Sequence, residues 1–321
     1  MVKNVKIKKA LITGVSGQDG SLLVEFLLSK GYKVYGLMRE SSSKDNLKEV
    51  INNTNFQIIY GDLLNEDLIR LLLETYQFDE IYNLASQSNI RLSYNAPVLT
   101  FNVTLIGTLV LLESVKKHSP NSKIFQAGSS AMFGNSMDKD GFQRETTPFK
   151  PISPYASSKL FAHNICVNYR EINDLYISNG ILYNHESYKT KTLLGVTNNI
   201  VKNLVDIKKG IISEYYIPDL KIYLDIGNAE DYINAMWLTL QQTKPNDYII
   251  STGVLNSIEY ICEYTCSKLG LDYKKCIKTK TNNSELLKLK GEPSKLKSLG
   301  WEPKYSFTDT MDSIINYYEN I

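Results

Sequence analysis

The first forty residues leave this chain few folds to choose from. Residues 6–13 (Lys-Ile-Lys-Lys-Ala-Leu-Ile-Thr) begin polar and end apolar, as a buried parallel strand does. Gly14-Val-Ser-Gly17-Gln-Asp-Gly20 follows, and then Ser-Leu-Leu-Val-Glu-Phe-Leu-Leu, whose apolar residues keep helical spacing. Gly31 supplies the C-terminal stop, and residues 33–38 read as a second strand. A strand, a glycine turn, a helix and a strand within about 30 residues form the opening unit of a doubly wound sheet that holds a dinucleotide.

The alternation continues. Strands are expected at 56–60, 80–85 and 175–182, and helices at 66–76, 97–118 and 154–172. Another strand starts at Lys123 and empties into Gly128-Ser-Ser-Ala-Met-Phe-Gly134. Past Asn184 the rhythm breaks into a helix at 196–209, short strands near 215–217 and 221–224, a helix at 229–242, a strand at 247–251 and a helical tail over 257–321. The fold class is α/β: a Rossmann doubly wound parallel sheet with a smaller, interwoven C-terminal substrate lobe. Residues 1–184 form the dinucleotide-binding domain, with 226–256 returning to it. Residues 185–225 and 257–321 form the smaller lobe, and no low-complexity linker separates the two.

Composition removes several function classes. A chain of 321 residues with 43% hydrophobic and 22% charged residues is of ordinary globular type, and a net charge of +2 gives no footprint for nucleic acid or an anionic membrane. No uncharged apolar run approaches the roughly 20 residues of a membrane span, and the basic N-terminus flows directly into a strand instead of a leader's apolar core. The four cysteines (Cys166, Cys262, Cys266, Cys276) lack paired spacing. Cys262 and Cys266 lie one helical turn apart with no histidine nearby, so buried thiols in a reducing cytoplasm are expected, and no metal.

Three groups of residues carry chemistry. Gly14, Gly17 and Gly20 permit a tight turn, close approach to a pyrophosphate and close helix packing. Asp62, at the end of the third strand, can accept from an adenine amino group or cap a helix. At the end of the second strand Glu40 favours the free ribose of NAD, whereas Arg39 can neutralise the extra phosphate of NADP or stack on adenine; NAD is preferred. Tyr155 and Lys159, at i and i+4, share one helical face. An ammonium held near a phenol stabilises the phenolate a general base requires. Ser129 can hydrogen-bond the same substrate oxygen, and Ser130 faces the ligand beside it.

Together these segments resemble the extended short-chain dehydrogenase/reductases, and most closely the GDP-mannose 4,6-dehydratases. The likeness runs from Ala10 almost to the C-terminus through Gly14-Val-Ser-Gly-Gln-Asp-Gly20, Asn83-Leu-Ala-Ser-Gln-Ser88, Glu145-Thr-Thr-Pro-Phe149, Ser153-Pro-Tyr-Ala156, Asn179-Gly-Ile-Leu-Tyr-Asn-His-Glu-Ser187, Asp231-Tyr232 and Leu299-Gly-Trp301. The resemblance implies that Ser129, Tyr155 and Lys159 are the catalytic Ser/Thr, Tyr and Lys. It places Gln18, Asp19, Leu63, Leu84 and Ala85 with the glycines, Arg39 and Asp62 around the cofactor. Ser88, Ser93, Ser130, Ala131, Asn184 and Glu186 fall around the sugar nucleotide, and a homodimer or homotetramer is implied by analogy.

The departures are as informative. Where those dehydratases read Thr-Ser-Glu, with the glutamate removing the C5 proton and assisting loss of the C6 hydroxyl, this chain has Ser129, Ser130 and Ala131. Asn199, Leu224 and Asn282 replace basic residues of the GDP site, so either Lys189, Lys191 or Lys202 holds the pyrophosphate or the sugar nucleotide is gripped less tightly. The expected function is NAD-dependent oxidation at C4 of a GDP-linked manno-configured sugar, with a separate oxidant recycling NADH. GDP-D-glycero-D-manno-heptose, a precursor of bacterial surface polysaccharide, is the preferred substrate because heptose pathways use relatives of this family. The alternatives are a 4,6-dehydratase that recruits Glu186, a 4-keto-sugar reductase or epimerase, and a non-catalytic dinucleotide-binding protein.

Overall fold

The computed structural model describes residues 6–190, 195–279 and 288–321. In chain order, β1 (Lys9–Thr13), α1 (Gln18–Ser29), β2 (Lys33–Met38), β3 (Phe56–Tyr60), α2 (Glu66–Tyr76) and β4 (Glu80–Asn83) follow the expected alternation. Then α3 (Ile90–Asn95) and α4 (Pro97–Phe101) lead through five residues of π-helix, Asn102–Ile106, into α5 (Gly107–His118). The regular part closes with β5 (Lys123–Ala127), α6 (Pro154–Ile172) and β6 (Ile177–Leu182). Beyond it lie β7 (Asn184–Glu186), α7 (Val196–Lys208), β8 (Tyr215–Tyr216), β9 (Tyr223–Asn228), α8 (Ala229–Leu240), β10 (Asp247–Ile250) and β11 (Leu255–Ser257). The tail carries α9 (Ile258–Leu269), α10 (Tyr273–Cys276), β12 (Ile277–Lys278), β13 (Lys288–Leu289), α11 (Ser294–Lys297) and α12 (Phe307–Glu319).

The large sheet has seven strands in the order β10-β6-β5-β4-β1-β2-β3, with parallel pairing from β6 through to β3. Its order reverses between β1 and β4, which puts a crevice beyond the carboxyl ends of those strands. Register explains why the interior is dry in the middle and polar at that end. Leu11, Ile81, Ile124 and Ile177 are matched across β1, β4, β5 and β6 and belong to one core cluster. Two residues further on, the same four strands carry Thr13, Asn83, Gln126 and Asn179, which face the same side because side chains alternate with period two. All four are buried.

The chain divides into two compact units. The first comprises Met1–Gly134, Phe149–Leu182 and Ile233–Tyr248; the second comprises Asn135–Pro148, Tyr183–Tyr232 and Ile249–Ile321. Of the stretch 226–256 expected to return to the first domain, Ile233–Tyr248 belongs to the first unit, while 226–232 and 249–256 belong to the second. Strand β9 pairs with β7, β11 and β13 in a separate small sheet, which keeps its residues in the second unit. Loop 135–148 joins that unit because Gln143 exchanges backbone bonds with Lys290 and Glu292, and Glu145 accepts from the Ile249 amide (2.9 Å). The second unit has its own core, in which Ile200, Leu204, Ile261, Cys262, Cys266 and Ile314 are buried. Trp301 donates from Nε1 to the Asp231 carbonyl (3.0 Å).

One expectation from composition is corrected. The helical stretch Pro97–His118 is long and apolar enough to cross a membrane, with a mean hydropathy of 1.8 over its best 18 residues. Half of that window is buried: Val110, Leu111, Leu112 and Val115 of α5 lie in the core of the first unit. Within it, Gly107 sits where a Cβ would come within 2.9 Å of Leu63, so the helix passes tightly over the β3 loop.

Candidate active site

At the end of β1 the backbone turns through Gly14 (φ +70°), where a Cβ would also press on Ala85 at 3.0 Å. At Gly20 a Cβ would meet the Gly14 carbonyl at 2.5 Å, so this glycine lets α1 close on its own turn. Gly17 is different. Its φ of −70° suits any residue, and a Cβ there would meet only the Gly14 carbonyl, at 3.4 Å. Among the described residues no atom demands a glycine at this position, yet it is exposed at the start of α1 with no side chain capping the helix. An open cradle at a helix N-terminus suits an anionic group, as the pyrophosphate of a dinucleotide would be.

The β4 loop is tied to this turn. Thr13 accepts the amides of Leu84 and Ala85 on its hydroxyl (both 3.1 Å) and donates to Asn83 (2.7 Å). Gln18 donates to the Asp19 carboxylate (2.9 Å). Arg39 and Glu40 lie exposed at the end of β2. Asp62 is exposed, and its carboxylate accepts the Leu64 amide (3.0 Å), closing a local turn. It is not the cap of α2, a role taken by Asn65. Leu63 buries its side chain in the core, so only its backbone could face a cofactor.

Tyr155 and Lys159 sit in the first and second turns of α6, which Ser153 caps and Pro154 starts. Both are buried. Burial pushes the Tyr155 phenol up, while a hydrogen bond with Ser129 acts the other way. Burial also pushes Lys159 down to about 8, opposed by the Asp19 carboxylate. The lysine ammonium donates to the Ala127 carbonyl (2.8 Å) at the end of β5. Ser129 caps a short turn over Ser130–Phe133 by accepting the Ala131 amide (3.2 Å), and Ser130 and Ala131 are half-buried in it. Ser129 is thus bonded to Tyr155, Lys159 lies one turn further along α6 against the end of β5, and no carboxylate extends from position 131.

The other expected substrate residues are divided between the two units. Ser88 is exposed in the β4 loop, but Ser93 is fully buried and its hydroxyl donates to the Ile90 carbonyl of its own helix (2.6 Å). Ser93 therefore does not line a substrate surface. In the second unit, Asn184 is exposed at the start of β7, and His185 stacks on Tyr232 at 4.5 Å. Glu186 is buried, its carboxylate accepting from Asn198 (2.6 Å) and packed against Gly195. Such a carboxylate is engaged by its own unit, which removes the ground for recruiting it as a free base. Lys202 is paired with Asp206 on α7, and Lys189 is buried. Lys191 and Asn282 lie outside the described residues.

Sequence reasoning missed the polar row beneath the site. Asn83 donates to Gln126 (2.7 Å) and Thr108 (3.1 Å), and Gln126 donates to the Ala127 carbonyl (3.3 Å). Its signal was present as a polar residue near the end of each of four apolar strands.

The family model for GDP-mannose 4,6 dehydratase matches residues 11–314. GDP-mannose 4,6 dehydratase 1 of Arabidopsis thaliana is 40% identical, covering 96% of this chain and 89% of its own. This chain belongs to the GDP-mannose 4,6-dehydratase family. A family member from Vibrio cholerae is also 40% identical, over 82% of this chain and 73% of its own. Among solved structures, dTDP-glucose 4,6-dehydratase from Bacillus anthracis, in complex with NAD, superposes with a TM-score of 0.86 at 24% identity, covering 98% of this chain and 97% of its own. UDP-glucose 4-epimerase from Thermotoga maritima, with UDP-glucose, gives 0.86 at 22%, covering 97% and 99%. The GDP-mannose 4,6-dehydratase family and the Rossmann sheet together make this an enzyme of the short-chain dehydrogenase/reductase type that handles nucleotide sugars. At position 131, beside Ser129 and Ser130, this chain carries a methyl group.

Proposed function

We propose that this chain is an NAD-dependent dehydrogenase acting at C4 of a GDP-linked, manno-configured sugar and releasing the 4-keto sugar. The observation that carries the reading is a complete Ser129–Tyr155–Lys159 constellation beside a residue, Ala131, that cannot exchange a proton. Tyr155 as phenolate takes the proton from the C4 hydroxyl, Lys159 stabilises the phenolate by its charge, and Ser129 holds the same oxygen. The nicotinamide, when bound, supplies the hydride acceptor at C4. Gly14, Gly17 and Gly20 shape its pyrophosphate cradle, and Glu40 supports NAD over NADP. Removal of the C5 proton needs a second base, and the family's position for it holds a methyl group. Hydride then does not return to the sugar, and a separate oxidant must regenerate the cofactor.

GDP-D-glycero-D-manno-heptose is the substrate to offer first, with GDP-mannose beside it. Each is incubated with NAD in deuterated water, and the product is weighed by mass spectrometry. A product lighter by two hydrogens, with its C6 oxygen retained and no deuterium at C5, is expected. Loss of water, or deuterium at C5, would overturn the reading in favour of a dehydratase with a base outside position 131.

A further inference from the structure

We propose that Gln126 is a positioning residue for Lys159, holding the Ala127 carbonyl on which the lysine ammonium rests. The proposal rests on the reading above in taking Lys159 as the working partner of Tyr155. The β4–β5 ladder ends with Asn83 opposite Gln126, one residue before Ala127. Beyond that point the amides of Leu84 and Ala85 turn to the Thr13 hydroxyl. The Ala127 carbonyl therefore receives two side-chain donors, Lys159 Nζ at 2.8 Å and Gln126 Nε2 at 3.3 Å.

Gln126 has one way to face. Asn83 Nδ2 donates to its Oε1 at 2.7 Å, which turns its own NH2 group towards Ala127. Asn83 is fixed in turn, because its Oδ1 accepts from Thr13 and its Nδ2 also donates to Thr108. Each link lies in a region at most 5% exposed, where an unpaired polar group is costly and a fully paired chain is rigid. The chain runs from the glycine turn through Thr13, Asn83 and Gln126 to Lys159, so the cofactor loop and the lysine share one frame. Asp19, at the start of α1, is the charged group among the described residues that raises Lys159 against its burial.

The test reads the titration of Lys159 in the full chain, by nuclear magnetic resonance of isotope-labelled lysine ε-carbons assigned with Lys159→Arg. Gln126→Met removes both polar groups at nearly constant length; Gln126→Asn keeps the amide and draws it back by one methylene. Either change frees the Ala127 peptide to turn, so its carbonyl no longer stays aimed at the ammonium, a loss of alignment that outweighs the removal of a competing donor. Its titration is expected to fall by about half a unit or more, and kcat by about tenfold, with KM for the cofactor unchanged. A folded variant whose Lys159 titrates as in the parent, or at higher pH, overturns the proposal. So does failure of both variants to fold, since Gln126 then serves the sheet alone. The titration needs no substrate, so the C4-oxidation reading fails separately, by absence of turnover in the parent enzyme.

Discussion

At the scale of residues, the proposed reaction turns on Tyr155 and Ala131. Tyr155→Phe removes the proton acceptor while keeping the ring that α6 buries. Turnover is expected to fall by at least about 10²-fold, with an unchanged near-ultraviolet circular dichroism spectrum. Ala131→Glu places a carboxylate on the turn that Ser129 already holds. The variant is expected to exchange C5 with deuterated water and to release some dehydrated product, both absent from the parent and both visible by mass spectrometry. Lys159 adds a pH dependence whose two senses are distinct. Activity needs the ammonium, so it should fall as pH rises through about 8, where burial has placed this group. Stability runs the other way. The folded chain binds fewer protons than the unfolded one between about 8 and the ordinary lysine value, so this group makes folding more favourable as pH rises through that window. A Lys159→Met enzyme should lose that slope in urea titrations at pH values across it.

At the scale of elements, the structure shows what holds α8 to the start of the large sheet. The buried Glu80 carboxylate of β4 accepts from Lys8 (2.9 Å), Tyr32 (3.0 Å), Tyr82 (2.7 Å) and Gln241 (3.1 Å), the last just past α8. Trp237 of α8 donates to the Tyr32 hydroxyl (3.0 Å). Glu80→Leu would leave those donors without their acceptor, at a cost of about 3 kcal/mol, measured as a lowered urea midpoint with an unchanged slope. None of this could be read from the chain, because Lys8, Tyr32, Glu80 and Gln241 are far apart in sequence and each, taken alone, looks like a residue that faces water. The strands and long helices were legible for the opposite reason: their signals are local. Residues 33–38, 56–60, 66–76 and 154–172 keep their expected limits, since glycine, asparagine or Ser153-Pro154 marks an end. Six-residue α3 went unseen, being too short for periodicity, and the π-helical turn inside 97–118 leaves no local mark. The proposed trio could be picked out from sequence because Tyr155 and Lys159 share a helix and Ser129 follows the end of β5. Ser93 was misread because the resemblance carries a position and not the burial of its hydroxyl.

At the scale of the whole molecule, the apolar side chains that the first unit leaves outside form a pattern. Leu92 of α3, Val98 and Leu99 of α4, Ile106 at the end of the π-helical turn and Phe161 of α6 are all exposed. These elements pack on one another, and the rings of Phe101 and Phe161 lie 6.2 Å apart. The same helical stretch therefore uses its α5 residues for the core and presents its α4 residues outward. Scattered exposed apolar residues need no explanation, but five on three neighbouring helices make a surface that water leaves readily when a second copy covers it. A dimer or tetramer, as the resemblance implies, would cover this face, since a two-fold interface uses the same patch on both subunits. Sedimentation velocity should find the parent protein larger than its 36.5 kDa chain. Val98→Glu combined with Phe161→Glu would bury two carboxylates in that interface and should yield monomers. Neither residue is part of the constellation of Ser129, Tyr155 and Lys159, and both side chains point to solvent in a single chain. The double variant should thus keep its thermal midpoint as a monomer to within the few degrees that loss of association costs. A parent protein that sediments as a monomer at micromolar concentration would remove this face from the account.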